Sequence, residues 1–395
     1  MKLLLNVSFA VVCSTLFLDS LAGEWSGEIS LEARYFPQEP LDSRQHGNNL
    51  SAYFLAEYYH DWDDGDQRFA ISPFLRVDSG DSERTHFDFR ELYWRKSFAN
   101  AEFSVGLKKI FWGVAESQHL VDVINQNDGV ENLDTEDKLG QPMIHLSVLR
   151  DWGTLDFFLM PYFRERTFPG VEGRIRTPIV VDTDSPLYES GAEERHVDFA
   201  VRWSHYIGDF DLGLSYFKGT NREPLIVTDF SGGLLSLRPF YEQMEQISVD
   251  LQATKGSWLW KLEGLHRDTP SNSFYALVGG FEYTVVGLFE SAADLGLIAE
   301  YAYDERDEGL AFAQNDLAGG FRLALNDAQS TELLAVVSHD LDNQSKFISI
   351  EGSRRIGQSF RIYLEGRFFT SIDDTDPLIA IANDDYIELS LTKFF

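Results

Sequence analysis

Apolar and polar residues alternate one by one along most of this chain. In 197–203, Val197, Phe199, Val201 and Trp203 fall on one side, and Asp198, Ala200 and Arg202 on the other. In 294–303, Leu295, Leu297, Ala299, Tyr301 and Tyr303 oppose Asp294, Gly296 and Glu300. In 316–325, Leu317, Gly319, Phe321, Leu323 and Leu325 oppose Asp316, Arg322 and Ala324. In 360–368, Phe360, Ile362, Leu364 and Phe368 oppose Arg361, Glu365 and Arg367. A period of two is that of a strand with one apolar face. Such stretches run near 26–36, 48–62, 66–79, 84–98, 100–112, 142–151, 153–163, 194–207, 209–219, 243–255, 257–267, 272–286, 292–304, 315–326, 330–340, 345–356, 358–370 and 384–395, eighteen in all. Stretch 84–98 departs from the rule, because Phe87, Phe89 and Tyr93 share a side with Glu91. That conflict predicts a β-bulge or a shortened apolar span.

The connections come in two kinds that alternate. Asp63-Asp64-Gly65, Phe98-Ala99-Asn100, Asp151-Trp152-Gly153, Ile207-Gly208-Asp209, Lys255-Gly256-Ser257, 287–291, 326–329 and Ile356-Gly357-Gln358 are short, with the Gly and Asp content of tight hairpins. Most of those between them are longer: 37–48, 111–141, 164–193, 220–242, 303–314 and 371–383. Short turns at one end and long loops at the other predict consecutive antiparallel strands, with both chain ends on the short-turn side.

So many strands leave two edges, which closure removes. The ends of the chain bear on this. Lys2, the mostly apolar 3–18 and Ser20-Leu21-Ala22 have the layout of a cleaved secretion leader, 1–22. The chain closes on Tyr386-Ile387-Glu388-Leu389-Ser390-Leu391-Thr392-Lys393-Phe394-Phe395, an alternating strand with a terminal aromatic. Leader, alternation and final aromatic strand together resemble the Gram-negative outer-membrane β-barrels. The resemblance implies an all-β, transmembrane, antiparallel up-and-down barrel over 23–395, of about 18 strands with 16 as the alternative, in the cell outer membrane. It also implies contact with outer-membrane lipids and lipopolysaccharide, and with the barrel-assembly machinery through the C-terminal strand. Lys393, third from the end, departs from the usual apolar residue of that signal, whereas Phe395, Leu391, Leu389 and Ile387 keep it. Lipid then meets the apolar side of each strand, because a charge facing the bilayer midplane costs roughly 2–4 kcal/mol.

Composition narrows the picture. Beyond the leader no apolar run approaches the length of a membrane-spanning helix. The 31 Phe, 16 Tyr and 8 Trp suit aromatic girdles at two membrane interfaces. A formal net charge of −31 argues against nucleic acid, whose phosphates need Lys and Arg. Its place in a barrel is the outward loops, where carboxylates share divalent cations with anionic headgroups. The one cysteine, Cys13, lies in the leader after Val11 and Val12 rather than small residues, so neither lipidation nor disulfide chemistry is expected.

A barrel of sixteen to eighteen strands encloses an aqueous lumen. Its predicted wall is mixed in sign, with Arg90, Lys108, Arg202, Lys261, Arg322, Arg355, Arg361 and Arg367 against Asp88, Asp198, Asp250, Glu263, Glu282, Glu300, Glu351, Glu365 and Glu388. The third long connection, about 112–141, carries Glu116, Asp122, Asp128, Glu131, Asp134, Glu136 and Asp137 against Lys138. Within it, 116–125 predicts a short helix with Leu120, Val121, Val123 and Ile124 on an apolar face that needs burial. Here the chain resembles the general porins, whose third loop folds inward and narrows the pore. The likeness is of architecture rather than of a residue motif. It implies a constriction between Glu116, Asp122 and Asp128 on the loop and Arg361 and Arg367 on the wall, with Arg322 and Arg202 next. The expected function is passive diffusion of small hydrophilic solutes or ions with a weak cation preference. The alternative is a non-conducting barrel that serves as an adhesin or as an envelope export or assembly partner.

No enzyme or cofactor is expected. Asp61-Trp62-Asp63-Asp64-Gly65-Asp66 has the spacing of a calcium loop, but Ser72 stands where the closing Glu belongs. Asp182-Thr183-Asp184 and Asp373-Asp374-Thr375-Asp376 read as solvated loop acid. His145 and Ser147 share a strand side without a sign of an oxyanion hole. Gly232-Gly233 lacks the partners of a phosphate loop. No plug domain is expected before the first strand, which begins close to the cleavage site.

Overall fold

The computed structural model describes residues 23–230, 235–306, 311 and 313–395; the leader with Cys13 and the Gly232-Gly233 pair lie outside them. Eighteen strands form a single sheet. Each pairs antiparallel with its neighbour in sequence, and the first, Glu24–Tyr35, pairs with the last, Tyr386–Phe394, in a register running from Glu28↔Phe394 to Tyr35↔Ile387. The barrel is therefore closed, with eighteen strands rather than sixteen. Closure gives every strand a hydrogen-bonded neighbour on both sides, which lipid demands. Arg34 on the first strand and Glu388 on the last reinforce the seam from within at 2.7 Å, with the guanidinium over the Tyr386 ring.

The alternation sorts the side chains. Outward residues are apolar and bare, such as Leu31 at 61 %, Leu50 at 68 % and Ile247 at 62 % exposure. Inward residues are polar and covered: Ser30, Ser104, Asp198, Glu263, Glu300 and Arg367 are all buried. A continuous apolar outer belt over a polar interior is the inverse of a water-soluble barrel and matches a hydrocarbon solvent.

The irregular strand resolves as a bulge. Between Gln67–Asp78 and Phe87–Phe98 the register steps from Ser72↔Glu91 to Pro73↔Phe89, which leaves Arg90 without an opposite residue. Pro73 has no N–H to give the ladder, so a bulge belongs here. The extra residue reverses the phase. Phe87 faces out beside Leu75, while Tyr93 stands opposite the fully buried Ala70 on the inner side. Glu91 is thereby turned away from lipid.

The short turns are tight. Gly208, Gly256 and Gly357 take φ near +64°, +62° and +64°, which suits their two-, two- and three-residue hairpins. At 61–66, Arg68 takes both Asp61 carboxylate oxygens at 2.7 Å and the Gly65 N–H closes on the Trp62 carbonyl, so this is a hairpin and no calcium loop. The acids at 182–184 and 373–376 accept from N–H groups of their own turns.

At the other end, the long connection after Gly153–Met160 crosses the mouth. Its Arg174 pairs with Asp384 at 2.6 Å, Arg176 with Asp42 at 3.0 Å, and the Gly170 N–H reaches Asp81 at 3.0 Å. A second, three-stranded sheet of Leu187–Tyr188, Leu225–Asp229 and Ser236–Tyr241 stiffens these loops. Among the described residues, helical turns are confined to Glu193–Arg195, Leu288–Glu290 and Pro377–Ile381, all of 3-10 type. The helix expected over 116–125 is therefore absent.

Candidate pore interior

The connection that follows the strand Ala101–Lys108 lies against the inner wall, held by carboxylates rather than by secondary structure. Glu263 accepts from the N–H groups of Val114 at 2.6 Å, Ala115 at 2.8 Å and Val121 at 3.2 Å. Glu300 accepts from Glu116 at 2.9 Å and from Ser117 at 2.8 Å. Neither wall carboxylate has a basic partner among the described residues. Buried amides must find acceptors, and here the wall supplies them where a helix would have used its own carbonyls. Asn125 adds a brace: its side-chain oxygen accepts from Ile110, and its Nδ2 donates to the carbonyls of Lys108 and Leu139.

The apolar residues that suggested a helix are nonetheless covered. Val121, Val123 and Ile124 pack with Trp112 against Met143, Phe158, Met160, Ala200, Phe217 and Met244. Those wall residues are inward-facing and apolar, on neighbouring strands, so the wall carries a greasy patch shaped for the loop. Farther along, Asp128 takes Arg90 at 2.6 Å and Thr167 at 2.6 Å, while Glu131 takes Arg76 at 2.6 Å.

This arrangement redistributes the residues expected at a constriction. Glu116 and Arg322 do meet, at 2.7 Å, with Lys261 at 3.4 Å from the same carboxylate. Asp122 is buried against Lys138 at 2.9 Å, within its own loop. Asp128 is buried on Arg90, on the side of the barrel where the loop is tethered. Arg202 is engaged by Asp250 at 2.6 Å and stacks over Trp112 beneath the loop. Arg367 meets the loop through Asp134 at 3.2 Å, as well as Glu351 at 2.8 Å. Arg361 does not meet the loop: it pairs across the strands with Thr392 and Arg355, near the short turn 357–359. Arg361 and Arg367 are six residues apart on one strand, hence about 20 Å along it, and cannot serve one constriction together. The pairing of Asp122 and Asp128 with Arg361 and Arg367 is thus replaced by local ones.

Two cavities lie on the open side of the loop. The outer one, of about 840 Å³, is roofed by the long connections and reaches Arg34, Arg84 and Arg174. The inner one, of about 360 Å³, lies between loop residues 116–136 and the wall at Leu265, Asp316, Val336 and Arg367. They share Leu133, Arg166, Glu223, Arg267, Phe274 and Arg306. At this junction Arg267 donates to Glu223 at 2.9 Å and Arg306 at 3.1 Å. Burial raises the Glu223 carboxyl, but the Arg306 and Arg267 guanidiniums outweigh it and hold it below the usual carboxylate range. Of these four charged residues only Arg267, in phase with Lys261 and Glu263, follows from strand alternation. Arg166, Glu223 and Arg306 belong to connections, whose paths a period of two does not describe.

Asp134 gives the inner cavity a pH-dependent charge. Burial pushes its carboxyl up from 3.8 to about 6, against the pull of Arg367. A raised carboxylate pKa means that protons favour the docked loop. Docking is weakest above about pH 6 and strengthens as the pH falls towards 4. Over the same range the loop loses a negative charge beside Arg367. The reversal potential in a salt gradient is expected to move towards anions between pH 8 and 5, and Asp134→Asn to flatten that movement. An unchanged slope in the variant would remove Asp134 as its source.

His86, Asp128 and Glu131 bring three ligand atoms within 4.8 Å of one another. Arg90 and Arg76 already match the two carboxylates, so a divalent cation would sit beside two guanidiniums. The chemistry of this donor set is that of a tether for the loop. His145 is held by Asp156 at 2.9 Å and Lys108 at 3.4 Å instead of Ser147.

No protein-family model matches the chain, and none of the curated proteins does. Among solved structures, it is similar to an engineered triple mutant of the Rhodopseudomonas blastica porin, at 13 % identity and a TM-score of 0.47. It is likewise similar to a second mutant of that porin and to a structure described by the asymmetric conductivity of engineered proteins, both at 13 % identity and a TM-score of 0.46. Each covers 94 % of this chain and 100 % of the other. Closed, antiparallel, eighteen-stranded, apolar outside and polar within, the chain has the architecture of an outer-membrane barrel of porin type.

Proposed function

We propose that this barrel is a channel for the passive diffusion of small hydrophilic solutes or ions across the outer membrane. The observation that carries it is the pair of adjoining cavities inside a closed wall, both lined by charged side chains and bounded by the third long loop. A wall that only needed rigidity would close its ion pairs and fill the space between them. The acidic outer loops then face lipopolysaccharide, and the final aromatic strand serves the assembly machinery.

The loop narrows the path through Glu116, which lines the inner cavity and balances Lys261 and Arg322. Asp122 and Asp128, buried within the loop's own contacts and neutralised by Lys138 and Arg90, contribute anchoring rather than field. Planar-bilayer recording on the purified, folded barrel tests both points. Wild type is expected to conduct, and a folded barrel without current would favour the adhesin or export-partner reading. Glu116→Gln is expected to shift the reversal potential towards anions. One unit charge about 4 Å away is worth about 1 kcal/mol in water, about fivefold for each ion and in opposite directions for cation and anion. Asp122→Asn is expected to leave the reversal potential in place. If the two variants behave alike, this assignment of roles fails.

A further inference from the structure

The junction between the cavities gathers three guanidiniums, Arg166, Arg267 and Arg306, against two acids, Glu223 and Asp304, the latter paired with Arg306 at 2.7 Å, in a chain that is strongly acidic. Two guanidiniums, Arg267 from the strand Trp258–Asp268 and Arg306 from the connection after Asp294–Asp304, converge on one Glu223 oxygen. Both also lie over the Phe274 ring, at 5.6 and 4.4 Å. A third, Arg166, lines both cavities, and its Nε is buried without a hydrogen-bond partner. Among the described residues no hydrogen bond or ion pair ties the Arg166 side chain to a carboxylate, and Glu223 acts on it only through charge at longer range. Its guanidinium lies over the Phe168 ring at 5.7 Å. The Glu223 side chain is 38 % exposed, against 11 % for Arg267 and 16 % for Arg306. The acid is thus the accessible member of the set and the guanidiniums are its fixed frame. It sits on the short segment between Phe210–Thr220 and Leu225–Asp229, where Asn221 caps its N–H at 3.0 Å.

We propose that this junction is a carboxylate-binding site on the permeation path, in which Glu223 is a built-in occupant that the carboxylate of an incoming solute displaces. The inference rests on the channel reading and names its solute class: small organic carboxylates. Glu223 itself shows that the frame accepts a carboxylate oxygen between two guanidiniums. The planar fork of Arg166 suits the same group, and the Phe274 face covers the apolar side of the frame. A small carboxylate would dwell at Arg166, exchange with Glu223, and leave when Glu223 returns. The return of the tethered acid keeps the site from holding its ligand too long, as conduction requires.

Succinate is the probe. Single barrels in constant KCl are titrated with sodium succinate, and the reduction of current is read against concentration, with glucose as the uncharged control. Wild type is expected to saturate with succinate and not with glucose. Arg166→Ala is expected to weaken the apparent affinity about tenfold, the effect of losing one charge-assisted contact. Glu223→Gln removes the competitor and is expected to strengthen it, a change that a purely structural role for Glu223 would not produce. Removing Arg166 leaves Glu223 paired with Arg267 and Arg306, so its variant keeps a readable barrel if Glu223→Gln misfolds; folding is checked by heat-modifiable migration. A conducting barrel blind to succinate overturns the site. So does a Glu223→Gln barrel with weaker affinity. Equal saturation by inorganic phosphate overturns the carboxylate assignment. If no current flows at all, the channel reading falls and calorimetry of succinate on the detergent-held barrel decides the site. Heat that Arg166→Ala removes retains it, and no heat overturns it.

Discussion

Glu263→Ala is expected to loosen residues 114 and 115 on the wall while 116 and 117, held by Glu300, and 122–125 stay docked. The Glu263 carboxylate accepts from three loop amides, at Val114, Ala115 and Val121. Each buried amide left without an acceptor costs about 1–3 kcal/mol. The irregular backbone of this segment offers no carbonyl in their place, so water must enter. The neighbouring apolar contacts pull the other way, since burying a Val or Ile side chain is worth about 1.5–3 kcal/mol. Those contacts are densest at Val121, Val123 and Ile124, with Ala115 and Leu120 on a second wall patch, so the loop loosens where Glu263 alone held it. Hydrogen exchange is expected to rise sharply at 114, 115 and 121 and little at 116, 117 and 122–125, with noisier conductance. Glu263→Gln keeps one accepting oxygen and should be milder. Uniform exchange across 112–125 in the alanine variant would show that the apolar cluster alone holds the loop.

The barrel was legible because its signal is long and redundant. One period-2 stretch decides little, but many of them joined alternately by short turns and long loops leave few other folds. Even the conflict at Phe89 and Glu91 was informative, since a residue that must avoid lipid forces a phase reversal, and Pro73 opposite supplies the place for it. The helix at 116–125 failed for the converse reason. Leu120, Val121, Val123 and Ile124 have a spacing that fits a helix, and equally an irregular segment pressed on an apolar wall. What decides between them is the source of amide acceptors, and those are Glu263 and Glu300, on strands far away in sequence.

The interior was legible only by face. Inward direction followed from alternation for Arg202, Arg322, Arg361 and Arg367. Height along the strand and partners across the lumen did not, because they depend on barrel shear and loop path. Arg361 therefore sits near the short turns, out of the loop's reach, whereas Arg367 meets Asp134. Asp122 and Asp128 looked free in sequence, yet Lys138 and Arg90 neutralise them locally. The greasy patch under the loop was hidden by the rule that inward positions are polar. Met143, Phe158, Met160, Phe217 and Met244 are inward and apolar, a departure from alternation that could have marked the landing site in advance.

Arg76→Met is expected to free the tip of the same loop. Arg76 is only 4 % exposed. It bonds Glu32 on the wall and Glu131 on the loop, the latter at 2.6 Å, and stacks over Tyr53 and Phe74. Methionine fills part of the space against those rings but leaves two buried carboxylates with reduced compensation. Arg84 still reaches Glu32 at 3.2 Å, so the wall acid keeps a partner. Glu131 keeps only His86 at 3.3 Å and Arg90 at 3.8 Å. Removing one member of a buried pair costs about 3–5 kcal/mol. Undocking the tip hydrates Glu131 and escapes most of that cost, whereas unfolding the closed barrel does not. The loop is therefore expected to yield before the wall. Limited proteolysis should cut near 128–137 in the variant and not in wild type, at unchanged heat-modifiable migration. Arg76→Met together with Glu131→Gln should recover much of the protection, since the amide no longer needs a cation. If the double variant is cut as fast as the single one, the Arg76–Glu131 contact is not what holds the tip.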